Sequence, residues 1–356
     1  MDDARLDDLM AVLPPLLQAL DVLQFIARHL NPPDFEAVMS AIGTPEEAVR
    51  AGRSRLDNWP GRWADVSSQL KIVGDAVVAG FEGLRAAPDQ EDGLRAVFRA
   101  LRYLPRAEEA LYQLTDLAPV SGFFLDPALR GDADLLARLA QRAEGVETGV
   151  LHANNEPGSR GGFSLYVPEN YTPDRAWPLV MALHGGSGNG RAFLWSWLRE
   201  ARSRGAIVVA PTAIGPTWAL MGDDPDSPNL ARILTFVRER WSVDPARLLL
   251  TGMSDGGTFS YVSGLEPTSP FTHLAPVAAS FHPLMAQVAD ADRMRGLPIY
   301  LIHGVLDWMF PVQVARQARQ ALTAAGAQVT YREIDDLSHT YPRDENAGIL
   351  NWLTGS

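Results

Sequence analysis

The chain of 356 residues has no cysteine and a single lysine, Lys71, against 30 arginines. The first absence excludes a disulfide framework, a thiolate zinc site, an iron–sulfur cluster and a cysteine nucleophile. The second removes lysine chemistry except at Lys71, which sits in a helical pattern. A basic excess is also missing. The formal charge is −12, so the footprint needed to hold nucleic acid is absent. Residues 1–150 carry 15 Arg and Lys against 24 Asp and Glu, and residues 151–356 carry 16 against 19. No uninterrupted apolar run approaches the ~18–20 residues of a membrane span. The start, Met1-Asp2-Asp3-Ala4-Arg5-Leu6-Asp7-Asp8, lacks the positive n-region of a secretory signal. The expectation is a cytoplasmic protein with no membrane span. Nucleic acid is not expected as a partner.

What is present falls into two rhythms. Leu6, Leu9, Leu13, Leu16, Leu17, Leu20, Leu23 and Leu30 recur at spacings of three and four, a helical stripe broken by Pro14-Pro15. Thr44-Pro45-Glu46-Glu47 reads as an N-cap, a proline at the first helical position and acids in the first turn. Residues 59–84 and 93–117 read as long helices and Asp132–Ala143 as a shorter one. Strand-like alternation is nearly absent there. After a turn-rich segment, 154–162, short apolar runs bounded by Gly and Pro take over: 163–167, 179–183, 206–210, 247–251, 274–278, 299–303 and 329–334. Helical patterns lie between most of them. Such alternation predicts an α/β fold, a mostly parallel sheet with helices on both faces. The expected division is an all-α domain over 1–148 and an α/β domain over 149–356. The helical domain could serve as a cap, an oligomerisation surface or a partner module; its leucine stripe fits all three.

The motifs that carry chemistry lie in the second part. Gly252-Met253-Ser254-Asp255-Gly256-Gly257 stands between a strand and a helix, the context of a nucleophile elbow. Its serine must occupy a sharp, strained turn, so residues two positions away must do without a Cβ. His184-Gly185-Gly186-Ser187-Gly188-Asn189-Gly190 follows another strand. Small residues there let backbone N–H groups reach an oxyanion, with Gly186 or its neighbour Ser187 as one donor and the N–H of Asp255 as the other. A phosphate loop is the rival reading, but the P-loop lysine is missing. A serine nucleophile needs a base, and the base an orienting acid; in the fold that carries such an elbow the chain order is Ser, then Asp or Glu, then His. His339, after the last strand pattern, takes the position of base. His303 precedes the acid candidate and does not fit the order. Asp307, directly after the strand at 299–303, is the acid favoured over Asp335 and Asp336, which share the loop of His339. Trp218, Phe281, His282, Trp308 and Met309 fall in or beside loops after strands, where ligands bind in open α/β sheets, and are candidates for substrate contact. The histidines are scattered and no H-E-x-x-H occurs, so no metal and no cofactor is expected.

Leu183-His184-Gly185-Gly186-Ser187-Gly188, Thr251-Gly252-Met253-Ser254-Asp255-Gly256-Gly257, Leu301-Ile302-His303-Gly304-Val305-Leu306-Asp307 and Asp336-Leu337-Ser338-His339 resemble the α/β-hydrolase superfamily. The likeness is greatest to its phospholipase/carboxylesterase, polyhydroxybutyrate-depolymerase-like and feruloyl-esterase-like branches, and it covers about 155–356. It implies an α/β-hydrolase fold and a serine carboxylesterase acting on a small-molecule ester, short- to medium-chain or aryl. Two departures stand out: H-G-G-S in place of the H-G-G-G of many esterases, and the helical N-terminal region. A serine peptidase or acyl-peptide hydrolase, and a non-catalytic binding protein of the same fold, are the alternatives. A homo-oligomer formed through the N-terminal helices is a further possibility.

Overall fold

Spacings of three and four become helix across the first 131 residues. In a computed structural model, residues 3–61, 63–141 and 145–355 are described. The first unit, Met1–Gly131, is built around the helices Asp3–Arg28, Pro45–Gly52, Trp63–Ala86, Gly93–Leu101 and Tyr103–Tyr112. Pro14 and Pro15 do not break the first of these, contrary to the sequence expectation. The carbonyls they leave without a donor, on Met10 and Ala11, belong to exposed residues where water can replace the missing bond. On the opposite face Leu13, Leu16, Leu20, Leu23 and Ile26 are at most 3% exposed, and that packing holds the helix together. The helix is also long and apolar enough, by length and composition, to cross a membrane, which the search for uninterrupted runs missed. Its buried stripe makes it the core helix of this unit. Pro45 does open its helix, but the Thr44 side chain makes no capping bond.

The second unit, Asp132–Ser356, holds one eight-stranded sheet. Its strands are β1 Gly149–Ala153, β2 Phe163–Val167, β3 Trp177–Leu183, β4 Ile207–Pro211, β5 Val243–Met253, β6 His273–Val277, β7 Pro298–Gly304 and β8 Gln328–Ile334. The order is β1-β2-β4-β3-β5-β6-β7-β8; β2 pairs antiparallel with β1 and β4, and the remaining pairs are parallel. Seven of the strands coincide with the apolar runs. The eighth, β1, is a half-buried edge strand of mixed composition and left no such run. Strands β3 and β4 are buried along their whole length, as central strands covered on both faces must be. The division between the units falls at residue 131 rather than 148, because the helix Ala133–Ala140 groups with the second unit. Periodicity identifies a helix but not the core it joins. Ala143, the expected end of that helix, lies outside the described residues.

Candidate active site

Strand β5 ends at Met253, and the chain turns at once into the helix Asp255–Gly264. Between them Ser254 has φ 56° and ψ −117°, a conformation that costs a non-glycine residue about 1–3 kcal/mol. The surrounding glycines explain how it is held. A Cβ on Gly252 would stand 2.5 Å from the backbone of Gly256, and one on Gly256 would stand 2.5 Å from the carbonyl oxygens of Leu183 and His184. One on Gly257 would meet the carbonyl of Val277 at 2.8 Å. The Ser254 N–H donates to Val277 O at 2.9 Å, tying the turn to β6. The side chain is thus presented at a helix N-terminus above the carboxyl ends of β3, β5 and β6.

His339 bridges two partners. Its Nε2 lies 3.0 Å from Ser254 Oγ and its Nδ1 lies 2.9 Å from Asp307 Oδ2. All three residues are buried to at least nine-tenths. Asp307 Oδ1 accepts the backbone N–H groups of Met309 (2.9 Å) and Phe310 (2.8 Å). Burial pushes the Asp307 carboxyl up, but the His339 bond, the Phe310 N–H and the two imidazoles together prevail and hold it below its ordinary value. Asp335 and Asp336 are exposed in the loop after β8, whereas Asp307 is buried against His339. The acid and base loops are sewn together by Val305 N–H to Ile334 O (2.9 Å) and Leu306 N–H to Leu337 O (3.0 Å). Gly304 makes that approach possible, since a Cβ there would lie 2.6 Å from the Leu337 carbonyl carbon.

The structure gives His303 a place that sequence order could not. It is fully buried, its Nε2 donates to Phe310 O at 2.8 Å, and the same nitrogen is 3.4 Å from Asp307 Oδ2. Burial lowers its pKa, against the opposing pull of the Phe310 carbonyl and the Asp307 carboxylate. His303 therefore props the turn from which Asp307 reaches His339.

The glycine loop after β3 lies beside the elbow. A Cβ on Gly185 would be 3.8 Å from Ser254 Cβ, and one on Gly186 would be 2.8 Å from Asp255 Oδ2. Gly188 N–H closes the turn onto Gly185 O at 3.0 Å, with Ser187 at φ 57°. His184 anchors the loop. Its Nδ1 lies 2.7 Å from Gly185 O, and its Nε2 accepts the Ala213 N–H at 3.1 Å. Burial holds its pKa down at about 4. Asp226 was not anticipated. Buried in the helix Asp226–Arg238, it accepts N–H bonds from Ile214 and Ala219, both at 2.9 Å, and so braces the loop after β4. Nothing in the run Asp223-Asp224-Pro225-Asp226 singled out this acid.

The residues expected to touch substrate separate into two groups. The Trp308 and Phe310 rings stand edge-on to His339, with centroids 5.8 and 5.4 Å away, and Trp308 is 40% exposed. Met309 is exposed beside them. Trp218, by contrast, is buried: its indole N–H donates to His184 O at 2.8 Å and its ring stacks on Phe259. Phe281 packs edge-on against Tyr261 in the core. Both are buried in the core of the second unit. His282 is exposed and accepts the Leu284 N–H at 3.2 Å. Among the described residues, no three His, Asp or Glu side chains are placed to hold a metal ion.

The family model for phospholipase/carboxylesterase matches residues 231–355. A bifunctional acetylxylan esterase/xylanase of Neocallimastix patriciarum is 27% identical over 204 residues, covering 55% of this chain and 29% of that protein. Feruloyl esterase C of Emericella nidulans is 27% identical over 158 residues, covering 42% of this chain and 56% of that one. The crystal structure of a thermostable esterase superposes with a TM-score of 0.47 at 22% identity, over 58% of this chain and 62% of the other. The chain thus spans between about a quarter and about half of the length of those two curated relatives. The second unit has an α/β-hydrolase fold. Over residues 231–355 it matches the phospholipase/carboxylesterase branch of that fold.

Proposed function

We propose that this protein hydrolyses carboxylic esters through a Ser254–His339–Asp307 triad. The observation that carries the reading is the bridge made by His339, 3.0 Å from the serine hydroxyl and 2.9 Å from a buried carboxylate. Ser254 Oγ attacks the ester carbonyl while His339 Nε2 takes its proton, and Asp307 stabilises the imidazolium that forms. The carbonyl oxygen, now negative, accepts the N–H of Asp255 and that of Gly186 or Ser187. The tetrahedral centre collapses, the alcohol leaves with the proton from His339, and water repeats the cycle on the acyl-enzyme. Trp308 and Phe310, standing beside the base, suit a short- to medium-chain acyl group or an aryl acid. The relatives described above, an acetylxylan esterase/xylanase and a feruloyl esterase, are in keeping with that range.

The test is turnover of p-nitrophenyl esters from acetate to palmitate, run beside aminoacyl-arylamides. Ester hydrolysis that peaks at short or medium chains, with no arylamide cleavage, supports the reading. Comparable cleavage of arylamides would make the protein a peptidase. No turnover of either would point to a binding protein.

A further inference from the structure

Ester hydrolysis as proposed needs a backbone N–H of Gly186 or Ser187 held still at the oxyanion. The loop that carries it has little means of holding itself. Four of the seven residues from His184 to Gly190 are glycine. Glycine gives up the most conformational freedom when fixed, so such a loop keeps one shape only where its neighbours impose it. Both ends are imposed. His184 is buried at the near end, and at the far end Gly190 N–H donates to Thr212 Oγ1 at 2.8 Å while Asn189 Oδ1 accepts the Ala192 N–H at 2.9 Å. Between them, the bond of Gly188 N–H to Gly185 O curves the turn but does not place it.

The placement comes from a distant part of the chain. Arg160 lies in the turn-rich segment between β1 and β2. Its Nη1 donates to Gly188 O at 2.9 Å, while its Nε, at 2.8 Å, and its Nη2 both donate to Gly215 O in the loop after β4. A guanidinium is planar, with its donors in a fixed fork, so it holds two carbonyls at a set spacing; the single ammonium of lysine has no such fork. The base of the arginine is itself fastened to the end of β4. Gly161 N–H donates to Thr212 O at 3.1 Å, Thr212 N–H returns to Gly162 O at 2.8 Å, and Asn229 Nδ2 donates to Gly161 O at 3.1 Å. The other anchor is firm as well, because Ile214, next to Gly215, gives its N–H to Asp226. The charge of Arg160 also reaches the loop: burial is the main cause of the low His184 pKa, and Arg160 adds to it. Arg160 is exposed, so its bonds matter little to global stability. What they fix is local.

We propose that Arg160 is a positioning residue for the oxyanion hole: by bridging Gly188 O and Gly215 O it holds the glycine loop where the Gly186 or Ser187 N–H meets the developing negative charge. The catalytic part of this inference rests on the ester-hydrolysis reading, and the structural part on the bridge alone. A donor that matters only once charge has developed acts on kcat and leaves KM nearly untouched.

The experiment compares the full chain with Arg160→Ala and Arg160→Lys in two ways: kcat and KM on p-nitrophenyl butyrate, and amide hydrogen exchange of peptides covering residues 184–192. Arg160→Ala should lower kcat about thirtyfold, with KM within about twofold and Tm within a few degrees. Arg160→Lys, which keeps the charge but loses the fork, should still lose about tenfold. Exchange over 184–192 should quicken about tenfold in Arg160→Ala, while the peptides of β5 and β6 keep their protection. Unchanged kcat in Arg160→Ala, full activity in Arg160→Lys, or a rise in KM in place of the fall in kcat would overturn the proposal. If the unaltered protein turns over no ester, the ester-hydrolysis reading fails, and exchange alone decides the bridge: quickened exchange over 184–192 sustains it and unaltered exchange overturns it.

Discussion

Replacing Gly304 by alanine tests how closely the acid and base loops are fitted. The added Cβ would lie 2.6 Å from the Leu337 carbonyl carbon, against about 3.5–4.0 Å for carbon atoms in comfortable contact. One loop must therefore retreat by about 1 Å. Leu306 N–H, two residues after Gly304, donates to that same carbonyl, and His339 follows two residues after Leu337. The displacement passes directly into the 2.9 Å separation of His339 Nδ1 and Asp307 Oδ2. A shift of that size takes the pair beyond hydrogen-bond range. Misplacing a catalytic group by 1 Å costs about a hundredfold in rate, or ~2.7 kcal/mol. The assay is kcat and KM on p-nitrophenyl butyrate, with Tm recorded alongside. Gly348→Ala is the control, because its Cβ would meet only the Tyr300 hydroxyl at 3.5 Å, within a helix that gains from alanine. A Gly304→Ala enzyme with kcat/KM within twofold of wild type would refute the argument. So would an equal loss in the control.

Three further outcomes are expected. His303→Asn should lower kcat about ten- to hundredfold with KM little changed, because Asp307 loses the group propping its turn; unchanged kcat would remove that role. The buried imidazole of His184 makes stability fall on acidification. Between its ordinary pKa of 6.5 and about 4, the unfolded chain takes up a proton that the folded chain refuses. The contribution is level above that window and amounts to about 3 kcal/mol lost by pH 4. Urea unfolding at pH 7, 5.5 and 4 should therefore show a steeper decline in wild type than in His184→Gln, and parallel curves would contradict it. Trp218→Ala should lower stability by about 3–5 kcal/mol, whereas Trp308→Ala should leave Tm within a few degrees and alter the preferred acyl chain length. A kinetic effect confined to Trp218 would reverse that assignment.

The parts of this site that sequence disclosed are those whose chemistry forces a local pattern. Ser254 needs glycines two positions away on either side, and the elbow motif is the imprint of that crowding. His339 and Asp307 could be ordered because each follows a strand pattern. The parts that stayed hidden depend on what distant segments do to one another. Gly304 matters because of Leu337, and Asp226 because the loop after β4 returns to it. Trp218 looked like a ligand contact by position, yet its loop folds inward and gives its N–H to His184. Likewise, Pro14-Pro15 reads as a break by local rules. The helix survives because the opposite face is buried and the carbonyls left without donors belong to exposed residues.

The most direct test of the central claim is covalent. The intact protein would be treated with a fluorophosphonate and the adduct located by peptide mass, in wild type, Ser254→Ala and His339→Ala. The account predicts a single adduct on Ser254 in wild type, strongly slowed labelling in His339→Ala, none in Ser254→Ala, and ester turnover lost in parallel. Labelling at another residue, or turnover that persists in Ser254→Ala, would contradict it.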